Sequence, residues 1–227
     1  MSPIVAPHGP LPKIPKDFGT IQLGALIYNE MDLLDLMGPM RIFGEEMNTL
    51  DIKINFISVT MDPVESSQQV KVNPHYTLDN APKIDLLFIP GGVGDSILVD
   101  YPERISRIKT LAEQATWVFT VCTGSSALAL TGLLDGYNCT TNKAFFAMVI
   151  PRGPKVNWIK RARWVQDGKY VTSSGVSAGI DAALYIISEL VSLDVAEQVS
   201  KHIEYTWHRD AAEDPFADMY PHTRISI

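Results

Sequence analysis

TWVFTVCTGSSALALTGLLDG, residues 116–136, decides the fold. Its first six residues are β-branched, aromatic or apolar with no polar alternation, the pattern of a strand buried on both faces. Cys122-Thr123-Gly124 follows at once, and then Ser125, Ser126 and an Ala/Leu run read as a helix ending near Gly132 or Gly136. A buried strand passing directly into a helix is the unit of a parallel α/β sheet.

The flanking sequence repeats this alternation. Upstream, DLLFIP (85–90) is another continuous apolar run, closed by Gly91-Gly92-Val93-Gly94. Pro102 suits the first position of a helix that has Glu103 in its first turn and Ile105, Ile108, Leu111 and Ala115 on one face. Further upstream, IQLGALIY (21–28) reads as a buried strand, NEMDLLDLMGP feeds a helix to about Asn48, and DIKINFISV (51–59) alternates as a half-buried strand. Downstream, NCTT (138–141) reads as a strand and RARWVQDGKYVTSS (161–174) as a hairpin turning at Asp167-Gly168. GVSAGIDAALYIISELV (175–191) and DVAEQVSKHIEYTW (194–207) read as helices, and an acidic tail follows. The expected architecture is one α/β domain over residues 21–227, with a mostly parallel sheet between two helical layers. Residues 1–20, interrupted by Pro3, Pro7, Pro10, Pro12 and Pro15, form an extended arm lying on the surface or on a partner subunit.

Composition narrows the function. With 46% hydrophobic and 20% charged residues the chain is globular rather than disordered. A net charge of −7 without a basic stripe argues against nucleic acid and anionic membrane as partners. No apolar run reaches the ~18 residues of a membrane span, and the Pro-rich start lacks the apolar core of a secretory signal. Two cysteines are too few for a disulfide framework or a zinc cluster. A reducing compartment follows, the cytoplasm or the cytoplasm and nucleus.

Three strand exits carry unusual chemistry, those holding Asp35, Gly91 to Gly94, and Cys122. Cys122 between a strand and a helix start faces unsatisfied backbone N–H groups, which favour a thiolate and make it a candidate nucleophile. The plain alternative is a buried core cysteine, which is how Cys139 reads. Ser125 and Ser126 are candidate caps of the helix. Asp35, among apolar neighbours in LLDLMGP, is either an acid of raised pKa or the N-cap of the next helix; Asp32, nearer the loop tip, is expected in solvent. The GGVG loop offers backbone N–H groups to developing negative charge or simply makes a tight exit. It lacks the phosphate-binding glycine patterns. The five histidines form no motif, no HExxH spacing occurs, and no metal is expected. Asp181 is expected to complement a helix dipole. Trp158, Trp164, Tyr170 and Trp207 read as packing residues.

Taken in order, IPGGVG, TVCTGSSALALTGLLDG, Thr140-Thr141 and GVSAGIDAAL resemble the ThiJ/PfpI superfamily over roughly Ile21 to Tyr205. The resemblance implies a flavodoxin-like three-layer sandwich of the class I glutamine amidotransferase type, and a homodimer. Within the superfamily, C-T-G-S and L-D-x-x-G-P are similar to the isocyanide (isonitrile) hydratase branch, and the WHRDAAEDPFADMYP tail to fungal members. By that resemblance Cys122 is the nucleophile and Asp35 the acid/base. Thr123 positions substrate, Gly92 and the Thr123 backbone lie at an oxyanion-type site, and Gly175 and Val176 face the cysteine. The implied reaction is hydration of an organic isocyanide, a small-molecule substrate, to an N-substituted formamide through a covalent thioimidate, with no cofactor.

Departures matter too. Thr123 stands where protease and chaperone-like members carry His after the cysteine, and Met37 and Asn142-Lys143 replace the Thr and His-Trp of many hydratases. The alternatives are a glyoxalase III or deglycase-like enzyme acting on methylglyoxal, and a cysteine redox sensor or chaperone. A related branch of regulators fuses this domain to a helix-turn-helix module, which the chain's length and charge do not suit.

Overall fold

Parallel strands must be covered on both faces, and two strands here are apolar enough to require it. In the computed structural model, which describes residues 6–15 and 17–220, LLFI and WVFTV are buried at every position. The strands are β1 (Ile21–Leu26), β2 (Ile52–Ser58), β3 (Val64–Glu65), β4 (Lys71–Val72), β5 (Tyr76–Thr77), β6 (Leu86–Ile89), β7 (Trp117–Val121), β8 (Asn138–Cys139), β9 (Asn157–Trp158), β10 (Trp164–Asp167) and β11 (Tyr170–Ser173). The helices are α1 (Leu33–Phe43), α2 (Ser96–Val99), α3 (Pro102–Gln114), α4 (Gly124–Leu130), α5 (Phe146–Val149), α6 (Ala178–Leu190) and α7 (Leu193–His202).

Seven strands form the central sheet in the order β10-β11-β7-β6-β1-β2-β5. All its pairings are parallel except the β10–β11 hairpin. Helices α1, α6 and α7 pack together as one layer and α2, α3 and α4 as the other. Between sheet and helix, Phe88 stacks on Phe119 at 5.0 Å, and Phe43 of α1 meets Phe119 edge-on at 6.3 Å. The expected α/β sandwich with a mostly parallel sheet is the observed one. Among the described residues no helix is long and apolar enough to cross a membrane.

Several boundaries differ from the sequence reading. The helix expected to reach Asn48 stops at Phe43, where Gly44 caps it, and Glu46–Asn48 form a separate 3-10 turn. The helix after Cys122 ends at Leu130, and turns carry the chain through Gly136. NCTT contributes only the two residues of β8, which pair with β9 outside the main sheet. The last helix ends at His202, before EYTW. After α4 and α7 the apolar pattern runs on, and Leu134, Tyr205 and Trp207 pack against the core from turns and extended chain instead of a helix.

Of the N-terminal arm, the described part is extended and anchored on its own chain. Leu11 is buried in the core, the Trp117 indole donates to the Pro12 carbonyl at 2.7 Å, and the Gly168 N–H donates to Gly9 O at 3.0 Å. His8 stacks on Tyr137 beside the buried Asp167 carboxylate.

Candidate active site

Register aligns the strand exits. Ala25 pairs with Phe88, Ile89 with Thr120 and Val121 with Ser173, so Asn29, Pro90, Cys122 and Ser174 leave the sheet along one edge. From there β1 leads to α1 in one helical layer and β6 to α2 and α3 in the other. Such a divergence opens a crevice at the carboxyl end of the sheet.

The two diverging exits are tied together. Met31 and Gly92 form an isolated antiparallel bridge, and the Asp32 N–H donates to Gly91 O at 2.9 Å. Asp32, expected in solvent, is half-exposed and is also the N-cap of α1, accepting from the N–H groups of Leu34 and Asp35 at 2.9 and 3.1 Å. Asp35 is therefore free of capping and turns inward from the first helical turn, fully buried. Its Oδ2 accepts from the Gly91 N–H at 3.0 Å. Its Oδ1 has no hydrogen bond of good geometry, although the Cys122 thiol and the Val176 N–H both act on the carboxyl. Gly91 makes this convergence possible. A Cβ there would sit 2.6 Å from Thr123 N and 2.8 Å from both Asp35 Oδ2 and Cys122 Cβ.

Cys122 occupies a strained elbow, with φ at +58°, a region costly for any residue bearing a Cβ. Its N–H reaches the carbonyls of Ser173 and Ser174 at 3.3 and 3.2 Å. Its carbonyl accepts from Ser125 Oγ at 3.1 Å and Thr141 Oγ1 at 2.9 Å. Ser125 is thus turned back onto the elbow, and neither it nor Ser126, which binds Arg152 at 2.6 Å, caps α4. Val176, across the cavity, is also left-handed at φ +42°. Both residues line the same cavity, and strained backbone of this kind clusters at functional sites.

The electrostatics differ from the expectation of a thiolate stabilised by the helix start. Burial, and then the Asp35 charge, push the Cys122 thiol well above its ordinary pKa, against the Asn142 amide and the Thr123 N–H. Burial, and then the Asp32 charge, push Asp35 up to about 7, against the Cys122 thiol and the Gly91 and Val176 N–H groups. Desolvation outweighs the few N–H groups of a seven-residue helix. From about pH 7 upward the pair therefore shares one proton, which resides on sulfur.

Cys122, Thr123, Gly92 and Val176 line a cavity of about 200 Å³ with Asp32, Ser67, Val93, Asn142 and Phe145. Asp35 lies behind this wall, and Gly175 lines an adjoining cavity of about 250 Å³ that shares Asn142 and Val176. All six residues singled out in the sequence thus fall in one neighbourhood. The Gly92 N–H is not free for an oxyanion, because Thr123 Oγ1 takes it at 3.0 Å while donating to Gly92 O at 3.2 Å.

Beyond the cavity, Asp181 does more than complement a helix. It is fully buried, ion-paired with Arg163 at 2.5 Å, and accepts from the His208 N–H at 2.9 Å, pinning the C-terminal segment. Lys143, also buried, lies 3.3 Å from Asp214 and donates to Thr140, Thr141 and Ala162. Asn142, noticed in the sequence only as a departure, has its Nδ2 3.0 Å from Cys122 Sγ. No local pattern marks these partners, which come from distant segments. Among the described residues no cluster of His, Cys, Asp or Glu suits a metal ion.

Known proteins resemble this chain to different degrees. Residues 24–189 match the DJ-1/PfpI family. The isonitrile hydratase of Pseudomonas putida is 33% identical over 207 residues, covering 91% of this chain and 86% of that protein. The crystal structure of a ThiJ/PfpI family protein from Pseudomonas syringae superposes with a TM-score of 0.73 at 30% identity, over 84% of this chain and 77% of that one. Drosophila melanogaster DJ-1beta superposes at 0.71 with 17% identity, over 83% of this chain and 100% of that one, a likeness of fold alone. A match spanning most of the sheet and the cysteine elbow, together with a relative aligned over nearly the whole chain, places this protein in the DJ-1/PfpI family.

Proposed function

We propose that this chain is a cofactor-independent isonitrile hydratase, converting an organic isocyanide and water to an N-substituted formamide. The observation that carries the reading is the buried pair of Cys122 and Asp35, a thiol at the wall of a small cavity with a carboxyl behind it, both converging on Gly91. Addition to an isocyanide places both the nucleophile and a proton on the same terminal carbon. A thiol with a carboxylate beside it supplies both.

In the first step the S–C bond forms as the S–H bond breaks. Asp35 takes that proton and delivers it to the same carbon, giving a thioimidate, R–N=CH–S–Cys122. In the second, water adds to this carbon, one of its protons passing to nitrogen. The C–S bond then breaks, the C=O bond forms, and the hydroxyl proton returns through Asp35 to sulfur, leaving R–NH–CHO. The covalent intermediate divides one difficult addition into two easier ones. Thr123 turns its N–H toward sulfur. The relative named isonitrile hydratase supports this reading over the aldehyde chemistries. Among the described residues no histidine lines the cavity, so a hemithioacetal on Cys122 would have only Asp35 as its base.

The test is formamide production from an aryl isocyanide by wild type and Cys122→Ser side by side. Turnover in the wild type that vanishes in the variant is the expected result; equal turnover in both, or none in either, rejects it. The proposal includes a homodimer located in the cytoplasm, acting on a small molecule and not on nucleic acid or membrane. Light scattering on the eluted protein measures its oligomeric state.

A further inference from the structure

Cys122 has a third partner besides Asp35 and the Thr123 N–H, and its geometry is more constrained than either. Asn142 follows the short strand β8 and begins the loop leading to α5. Its Oδ1 accepts from the Ala144 N–H at 2.8 Å and the Phe145 N–H at 3.4 Å. With the carbonyl end occupied by two donors, the amide has one orientation that satisfies both ends, and that orientation aims Nδ2 at Cys122 Sγ, 3.0 Å away. The opposite wall is shaped to admit it. A Cβ on Gly175 would lie 2.3 Å from Asn142 Nδ2 and 3.0 Å from its Cγ. The neighbouring Lys143 is buried and fixes the loop through Thr140 Oγ1 at 2.7 Å and the carbonyls of Thr141 and Ala162.

We infer that Asn142 is a catalytic residue whose side-chain amide donates a hydrogen bond to Cys122 sulfur as it ionises and attacks. The need for such a donor follows from the surroundings. Burial and the nearby Asp35 carboxylate both oppose negative charge on sulfur, and none of the described residues lining the cavity is a lysine, arginine or histidine. A neutral amide answers that need without drawing the proton away from Asp35. The inference deepens the hydratase reading in its mechanism, but it concerns the reactivity of sulfur toward any electrophile.

Asn142→Asp is the matching perturbation. It keeps the Oδ1 that caps the 144–145 N–H groups and replaces the donor with an acceptor, but a carboxylate there also repels charge on sulfur, so the neutral serine variant decides the test. Asn142→Ser is the second variant, since a hydroxyl can accept from the same loop yet does not extend to sulfur. The assay is the rate of Cys122 alkylation by iodoacetamide between pH 6 and 10, followed by intact mass, with thermal melting beside it. Loss of a hydrogen bond to a charged group predicts alkylation about tenfold slower or more at pH 8. The slowing is expected in both variants, with a near-native melting temperature in the serine protein. A wild-type alkylation rate in the folded serine variant overturns the inference. The readout needs no isocyanide. A wild type that turns over no isocyanide while Asn142→Ser still slows alkylation removes the hydratase reading and leaves the role of Asn142 standing.

Discussion

Replacing Asp35 with asparagine is expected to make the protein more stable above neutral pH while abolishing the proton transfer proposed for it. Asp35 is fully buried, and its carboxyl is pushed from 3.8 up to about 7. Between those values the unfolded chain has lost this proton and the folded chain retains it, so stability falls as pH rises. Each pH unit costs about 1.4 kcal/mol, and the interval of about three units amounts to about 4 kcal/mol. Above about pH 7 both states are ionised and the penalty stays constant; below about pH 4 it is absent. The amide of the Asp35→Asn variant retains an acceptor for the Gly91 N–H and carries no charge, so the variant escapes the whole of this slope. Urea unfolding of both proteins from pH 4 to 9 measures the difference directly. The stability gap, variant minus wild type, is expected to widen by about 4 kcal/mol from pH 4 to pH 7 and then level. A gap that is constant across this range refutes the claim that a buried, hard-to-ionise Asp35 is present in the native state.

The remaining expectations concern the cavity and its supports. Turnover and Cys122 alkylation should both rise with pH through about 7, because below it Asp35 holds its own proton and cannot accept one from the thiol; a profile flat from pH 5 to 8 contradicts the shared proton. Gly91→Ala should cut turnover by about 100-fold, the scale of ångström displacements at a reacting centre, since its Cβ meets Thr123 N at 2.6 Å and Asp35 Oδ2 at 2.8 Å; near-native kinetics would mean the convergence is looser than described. Asp214→Asn should lower stability by about 3 kcal/mol, because it leaves the buried Lys143 without its carboxylate. Limited proteolysis should then cut near the C-terminal segment, and an unchanged melt and digestion pattern would argue against the pairing.

The sequence alone determined the layers of this fold and the position of its elbow. LLFIP, WVFTV and IQLGALIY are strands because their unbroken apolar runs have nowhere to go except the middle of a covered sheet, and the glycines and prolines that end them act locally. Cys122 and Asp35 were legible for the same reason, as a thiol and a carboxyl set where such runs stop. Helix ends were less so: apolar patterning carries on past Thr131 and Ile203, where the structure has turns.

The tertiary structure decided the chemistry. Local sequence suggested a thiol made acidic by a helix start. Burial and the approach of Asp35 reverse this, because the cost of desolvating sulfur depends on everything packed around it and not on its two neighbours in the chain. The same holds for Asn142, placed against sulfur by the loop that follows β8. Secondary structure is set by interactions a few residues apart, which a sequence displays. Charge, burial and hydrogen bonding in a cavity are set by segments that meet only when the sheet has formed.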